Sequence, residues 1–129
     1  MNNIVPYWNE DHTKYAVLVS VGFGAGFSSW SSRELAYDSR VVEFWLAHKD
    51  NEEWMRSVND SSPFSNRESA EHKEAREFFA SIGYDYVCMG GFADVELEWV
   101  PAGAKWRINE YDGAESLEIE KNVDWVYFN

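Results

Sequence analysis

The sequence predicts an α+β domain, with a mainly antiparallel sheet that ends in a C-terminal meander and two helices packed on one face. Two observations carry this. Apolar residues recur at helical spacing up to Gly83 and at a period of two beyond it. The strands also cluster after the helices instead of alternating with them, which argues against a doubly wound sheet. A chain of 129 residues is long enough for one domain with its own core and short for two, so residues 1–129 are read as a single domain. An aromatic share of 17% supplies large apolar surfaces to bury and sets the chain apart from disordered ones.

Residues 15–21 (Tyr-Ala-Val-Leu-Val-Ser-Val) are apolar almost without a break, as in a central strand covered on both faces. The first helix is predicted with Ser31 as its cap, Glu34 as the capping-box partner and Trp30 stapled to Leu35. It runs to about His48, with Leu35, Val42, Trp45 and Leu46 on one face and Val41 and Phe44 on a second. Residues 50–66 read as a loop holding a short turn at Trp54 and Met55. The second helix is predicted to start at Ser65 with Glu68 as capping partner, to bury Ala75, Phe78, Phe79 and Ile82, and to stop at Gly83.

Beyond Gly83, turns at Gly90–Gly91, Pro101–Ala104 and Asp112–Gly113 predict four consecutive strands. That register sets Trp99 opposite Trp106, Leu97 opposite Ile108, Ile108 opposite Leu117 and Trp106 opposite Ile119 on the apolar side. On the polar side Arg107 falls between Glu98 and Glu118, and Lys105 opposite Glu120. Residues 123–128 (Val-Asp-Trp-Val-Tyr-Phe) are predicted as a last strand returning beside residues 15–21.

A formal charge of −12 and a pI near 4.5 exclude direct contact with nucleic-acid phosphates or anionic membranes, both of which need clustered Lys and Arg, and leave basic proteins as partners. Cys88 is the single cysteine, so no intrachain disulfide forms. The N-terminus lacks the pattern of a signal peptide, and no apolar run reaches membrane-spanning length, so the expected location is the cytosol.

The most pointed segment is the glycine-rich loop after the first strand, residues 19–33 (Val-Ser-Val-Gly-Phe-Gly-Ala-Gly-Phe-Ser-Ser-Trp-Ser-Ser-Arg). Glycines let the backbone turn N–H groups toward an anion, and a following helix start adds partial positive charge. The loop is neither a P-loop nor a dinucleotide fingerprint. Its composition nevertheless suits a phosphorylated, nucleotide-like small molecule, held by Gly22, Phe23, Gly24, Gly26, Phe27, Ser28, Trp30 and Arg33, with phosphate on N–H groups and Arg33 and a base on an aromatic ring. The competing reading makes the glycines a bulge or a close approach, and Phe27 and Trp30 core or staple residues. Arg40, seven after Arg33, shares its face if both are helical, or pairs with Asp38 or Glu43.

Asp94, Glu96 and Glu98 line a strand as a row of carboxylates that imitates nucleic-acid phosphates, which makes an acidic inhibitor of a basic host protein the alternative function. Glu110, Asp112 and Glu115 crowd a turn without the spacing of a calcium loop. His12, His48 and His72 are scattered, no metal pattern occurs, and Cys88 reads as a buried thiol. No nucleophile–base constellation stands out, so the chain is read as a non-enzymatic binder without cofactor or metal.

Residues 22–30 (Gly-Phe-Gly-Ala-Gly-Phe-Ser-Ser-Trp), 35–45 (Leu-Ala-Tyr-Asp-Ser-Arg-Val-Val-Glu-Phe-Trp) and 99–115 (Trp-Val-Pro-Ala-Gly-Ala-Lys-Trp-Arg-Ile-Asn-Glu-Tyr-Asp-Gly-Ala-Glu) resemble small proteins encoded by tailed bacteriophages and prophages, over most of residues 15–120. That group has no established activity and so assigns no residue roles. The resemblance implies a phage accessory or anti-defence role in the host cytosol, either sequestering a signal nucleotide or covering a basic host surface. By analogy with phage sequestering proteins, it allows a homo-oligomer.

Overall fold

A computed structural model describes residues 4–62 and 67–120. In chain order the elements are β1 (Lys14–Ser20), two 3-10 turns (Ser28–Trp30 and Arg33–Ala36), α1 (Ser39–His48), α2 (Glu52–Ser57), β2 (Ser61–Ser62) and β3 (Arg67–Glu68). There follow α3 (Ala70–Ser81), α4 (Met89–Ala93), β4 (Val95–Pro101), β5 (Trp106–Tyr111) and β6 (Ala114–Ile119). The fold is α+β, as the change of period predicts, and among the described residues every strand pair is antiparallel.

Strand β1 is buried on both sides because its apolar run serves two clusters. Ala16 and Leu18 face the helices, joining Val42, Trp45, Phe79 and Phe92. Val17 and Val19 face the other way, where Trp106, Ile108, Leu117 and Ile119 of the β5–β6 hairpin pack against them. The domain is thus layered as helices, the β1–β4 ribbon, and the hairpin.

The expected four-strand meander does not form. Residues 89–93 around Gly90–Gly91 are helix α4, not a hairpin turn. Gly91 lies so close to the backbone of Gly26 and Phe27 that a Cβ has no room. The Pro101–Ala104 turn is present, with Gly103 at φ +83, but it carries the chain from one layer to the next. Strand β4 therefore pairs with β1, from Lys14↔Pro101 to Ser20↔Val95. Leu97 meets Leu18 instead of Ile108, Trp99 meets Ala16 instead of Trp106, and Glu98 lies opposite Val17. The last hairpin follows the prediction: Trp106↔Ile119, Ile108↔Leu117 and Arg107↔Glu118 pair across a two-residue turn, with Asp112 at φ +50 and Gly113 at φ +87. The Glu120 N–H bonds the Lys105 carbonyl.

Helix starts are the second correction. The Ser31 capping box is unused, since Ser31 Oγ instead accepts the Cys88 N–H at 3.0 Å. Helix α1 is capped by Asp38, whose side chain accepts the Arg40 N–H at 3.0 Å. Trp30 is no staple, because its ring is bonded to Glu110. Helix α3 begins after Ser69, which accepts the His72 N–H at 3.0 Å. Ser65 lies outside the described residues, and Glu68 is a β3 residue bonded to His72 and Arg76. The stop at Gly83 stands, at φ +101, with the Gly83 and Tyr84 N–H groups returning to the Ala80 and Phe79 carbonyls. The predicted strand over 123–128 lies outside the described residues. Among the described residues no helix is long and apolar enough to cross a membrane.

Candidate functional site

The glycine loop does hold an anion, and that anion belongs to the protein. Strand β6 sends Glu115 back under the loop, where its side chain is 4% exposed. Its Oε1 accepts the Ser20 N–H at 2.8 Å, and its Oε2 accepts the N–H groups of Phe27 at 2.8 Å and Ser29 at 3.0 Å together with the Ser29 hydroxyl. The loop is pinned further by the Gly24 N–H on the Asp112 carbonyl at 2.7 Å and the Val21 N–H on the Asp94 carbonyl at 3.2 Å. The N–H groups of Val21, Gly24, Phe27 and Ser29, among those expected to meet a phosphate, are therefore committed inside the protein.

The predicted ligand residues separate accordingly. Phe27 is wholly buried against Phe79 and Phe92, so it is a core residue and offers no face to a base. Gly22 and Gly26 sit where side chains already crowd, against Asp94 in one case and Ser29 and Trp30 in the other, and Gly24 takes φ +94. Their role is a tight backbone path. Phe23, 73% exposed, and Trp30, 42% exposed, stand at the surface, and Trp30 Nε1 donates to Glu110 at 3.2 Å. That bond and the Gly113 N–H, the larger effect, hold the Glu110 carboxyl below its ordinary range.

Ser28 and Arg33 do line an open space. A cleft of about 810 Å³ is bounded by Ile4 and Pro6, by Ser28, Ser29, Ser31 and Arg33 from the end of the loop, by Tyr15 and Tyr37, and by Trp106, Arg107 and Ile108 of β5. Its aromatic wall is braced: Trp106 Nε1 donates to the Tyr15 hydroxyl at 2.6 Å, and the Tyr37 ring meets Trp106 edge-on at 5.8 Å. Ser31 Oγ accepts from Cys88, which leaves its own proton available to a ligand.

The two cleft arginines differ. Arg107 is held by Glu118, at 3.1 and 3.2 Å, and Asn109 binds the same carboxylate at 2.8 Å. Asn109 first and Arg107 second lower the Glu118 carboxyl. Arg33 is exposed and makes no ion pair among the described residues. Among the described residues Lys14, Arg56, Arg67, Lys73 and Lys105 likewise make no ion pair, and of these unpaired cations Arg33 is the one that lines this cleft. Arg40 does not join it. It forms a two-pronged pair with the wholly buried Asp38 at 3.0 and 2.7 Å. The Tyr84 hydroxyl also donates to Asp38 at 2.9 Å. Burial alone would raise the Asp38 carboxyl, but these bonds outweigh it and lower it, while burial and Asp38 push the Tyr84 phenol up.

Of the carboxylate row, Glu96 and Glu98 lie on β4 and Asp94 just before it at the end of α4, all three exposed. Glu110 and Asp112 do crowd the last turn with Glu115, each bonded to the loop or turn. Among the described residues no cluster of His, Cys, Asp and Glu is arranged to hold a metal ion. Cys88 is half-buried at the start of α4. What sequence reasoning missed is the contribution of Tyr15, Tyr37 and Trp106, which read as strand and helix residues and meet only through the pairing of distant strands.

No protein-family model, no curated protein and no solved structure matches this chain.

Proposed function

We propose that this protein is a non-enzymatic binder of a phosphorylated, nucleotide-like small molecule, which occupies the cleft between Arg33 and β5. The observation that carries the reading is Arg33, an exposed guanidinium free of ion pairs among the described residues, at the rim of a cleft that also offers the Ser31 hydroxyl and an aromatic wall. A guanidinium makes paired, charge-assisted bonds to phosphate, and a ring stacked on a base contributes about 1–3 kcal/mol. The site thus lies at the end of the glycine loop, not in its amide cradle. The resemblance to phage-encoded proteins fits a sequestering role in host cytosol, for which binding without turnover suffices.

Calorimetric titration with inorganic phosphate, nucleoside monophosphates and cyclic dinucleotides tests this. At least one should bind, and Arg33→Ala should weaken it at least about tenfold, the loss of one charge-assisted pair. Failure of every compound at millimolar concentration overturns the reading.

A second reading rests on Glu96 and Glu98, exposed on β4, whose edge away from β1 carries no strand among the described residues. This exposed pair of carboxylates suits a basic host protein. It would be recognised by binding that falls steeply with salt and is lost in Glu96→Lys with Glu98→Lys.

A further inference from the structure

Strand β5 uses one edge and, among the described residues, leaves the other open. In an antiparallel pair, alternate residues exchange backbone hydrogen bonds with the partner strand, and those between direct their N–H and C=O groups away from it. The Glu120 N–H on the Lys105 carbonyl, at 2.8 Å, sets the phase. Arg107↔Glu118, Asn109↔Ser116 and Tyr111↔Ala114 follow it in steps of two. The N–H and C=O of Trp106 and Ile108 therefore leave the strand on the opposite edge. No strand and no backbone hydrogen bond meets them there among the described residues.

This edge borders the cleft. Trp106, Arg107 and Ile108 all line it, although successive side chains of a strand point to opposite faces. What three consecutive residues share on one side is the strand edge itself. In an extended residue the N–H and C=O lie side by side and point the same way, one donor next to one acceptor. A nucleobase edge offers the matching pair, an acceptor next to a donor, as N1 and the 6-amino group do in adenine. The same cleft is lined by Arg33 and Ser31, suited to phosphate, and by Trp106.

We propose that the open edge of β5 reads the base of the bound nucleotide through the main-chain N–H and C=O of Ile108 or Trp106. The inference rests on the phosphate-binding reading above and adds that the ligand carries a nucleobase, held as a short extension of the sheet.

The test compares ribose 5-phosphate with the four nucleoside 5′-monophosphates by calorimetry, and follows backbone amide exchange of the full ¹⁵N-labelled chain by NMR. At least one nucleotide should bind at least tenfold more tightly than ribose 5-phosphate and should slow exchange at Trp106 or Ile108 by a similar factor. Arg33→Ala should weaken ribose 5-phosphate and that nucleotide alike. Equal affinity for ribose 5-phosphate and all four nucleotides overturns base reading while phosphate binding stands. Tighter nucleotide binding with unchanged exchange at both amides also overturns it, because the base is then held elsewhere. So does slow exchange at both amides in the free protein, which means the edge is already taken. If none of the five compounds binds, base reading is overturned, and the phosphate reading fails with it when inorganic phosphate and the cyclic dinucleotides do not bind either.

Discussion

The Glu115 carboxylate accepts the Phe27 N–H at 2.8 Å across 88 residues of sequence, and that bond turns an expected ligand loop into a structural one. It fixes the chain on both sides of the glycines, so the residues that follow, from Ser28 to Arg33, reach the cleft in one arrangement.

Glu115→Ala should destabilise the domain by about 3 kcal/mol or more, because three buried or half-buried N–H groups lose their acceptor and each unsatisfied donor costs about 1–3 kcal/mol. Glu115→Gln should lose nearly as much, since its amide sets a donor against donors. Urea denaturation measures both. A loss below about 1 kcal/mol for the alanine variant would show that the loop holds its path unaided.

Two glycines near the loop should respond very differently to alanine. Gly24 sits at φ +94 in open space, so Gly24→Ala should cost about 1–2 kcal/mol from backbone strain alone. A Cβ at Gly91 would collide with the Gly26 carbonyl, part of the backbone, so Gly91→Ala should cost about 3 kcal/mol or more or prevent folding. Reversal of that order in thermal or urea unfolding would place the close approach elsewhere.

Arg33 and Arg107 should not contribute equally to binding. Arg107→Ala removes a guanidinium already neutralised by Glu118 and should change affinity less than about threefold, against at least about tenfold for Arg33→Ala. Titration of both variants with the same nucleotide decides it, and a larger effect at Arg107 would move the phosphate to the outer face of the hairpin.

Glu68 should titrate far below an ordinary carboxyl. Hydrogen bonds first from Arg76 and then from His72 lower it from 4.5 to about 2. Because the folded value is the depressed one, the stability it adds is complete above pH 4.5 and is lost as pH falls toward about 2. Carboxyl-carbon NMR should find its midpoint near the lower value, and Arg76→Ala should bring it back toward 4.5. A midpoint already near 4.5 in the parent protein would mean that the three side chains do not hold together in solution.

Local signals were legible in the sequence and distant ones were not. Asp112–Gly113 declared its hairpin because two residues able to take positive φ fix both the turn and the register that follows. Gly83 declared the end of α3 for a similar reason. The turn at Pro101–Ala104 was equally readable, yet it could not say that β4 would prefer Leu18 and Ala16 to Ile108 and Trp106, because apolar alternation fits either partner. Ser31 and Glu34 had the spacing of a cap, but Glu34 lies within a 3-10 turn that Ser31 precedes, and Asp38 caps the helix that forms. Arg33 and Ser28 were legible as candidates, and both line the cleft. Glu115 resembled its neighbours Glu110 and Asp112, and nothing in its surroundings along the chain tells that it turns inward.

Strand β1 is the shared wall of two apolar clusters, with Ala16 and Leu18 on one side and Val17 and Val19 on the other. A single inserted residue between Lys14 and Ala16 would exchange the two sets, presenting valines to a helical surface shaped for alanine and leucine and the reverse to the hairpin. Both halves of the interior would fail together, so this short stretch should tolerate point changes far better than any shift in frame.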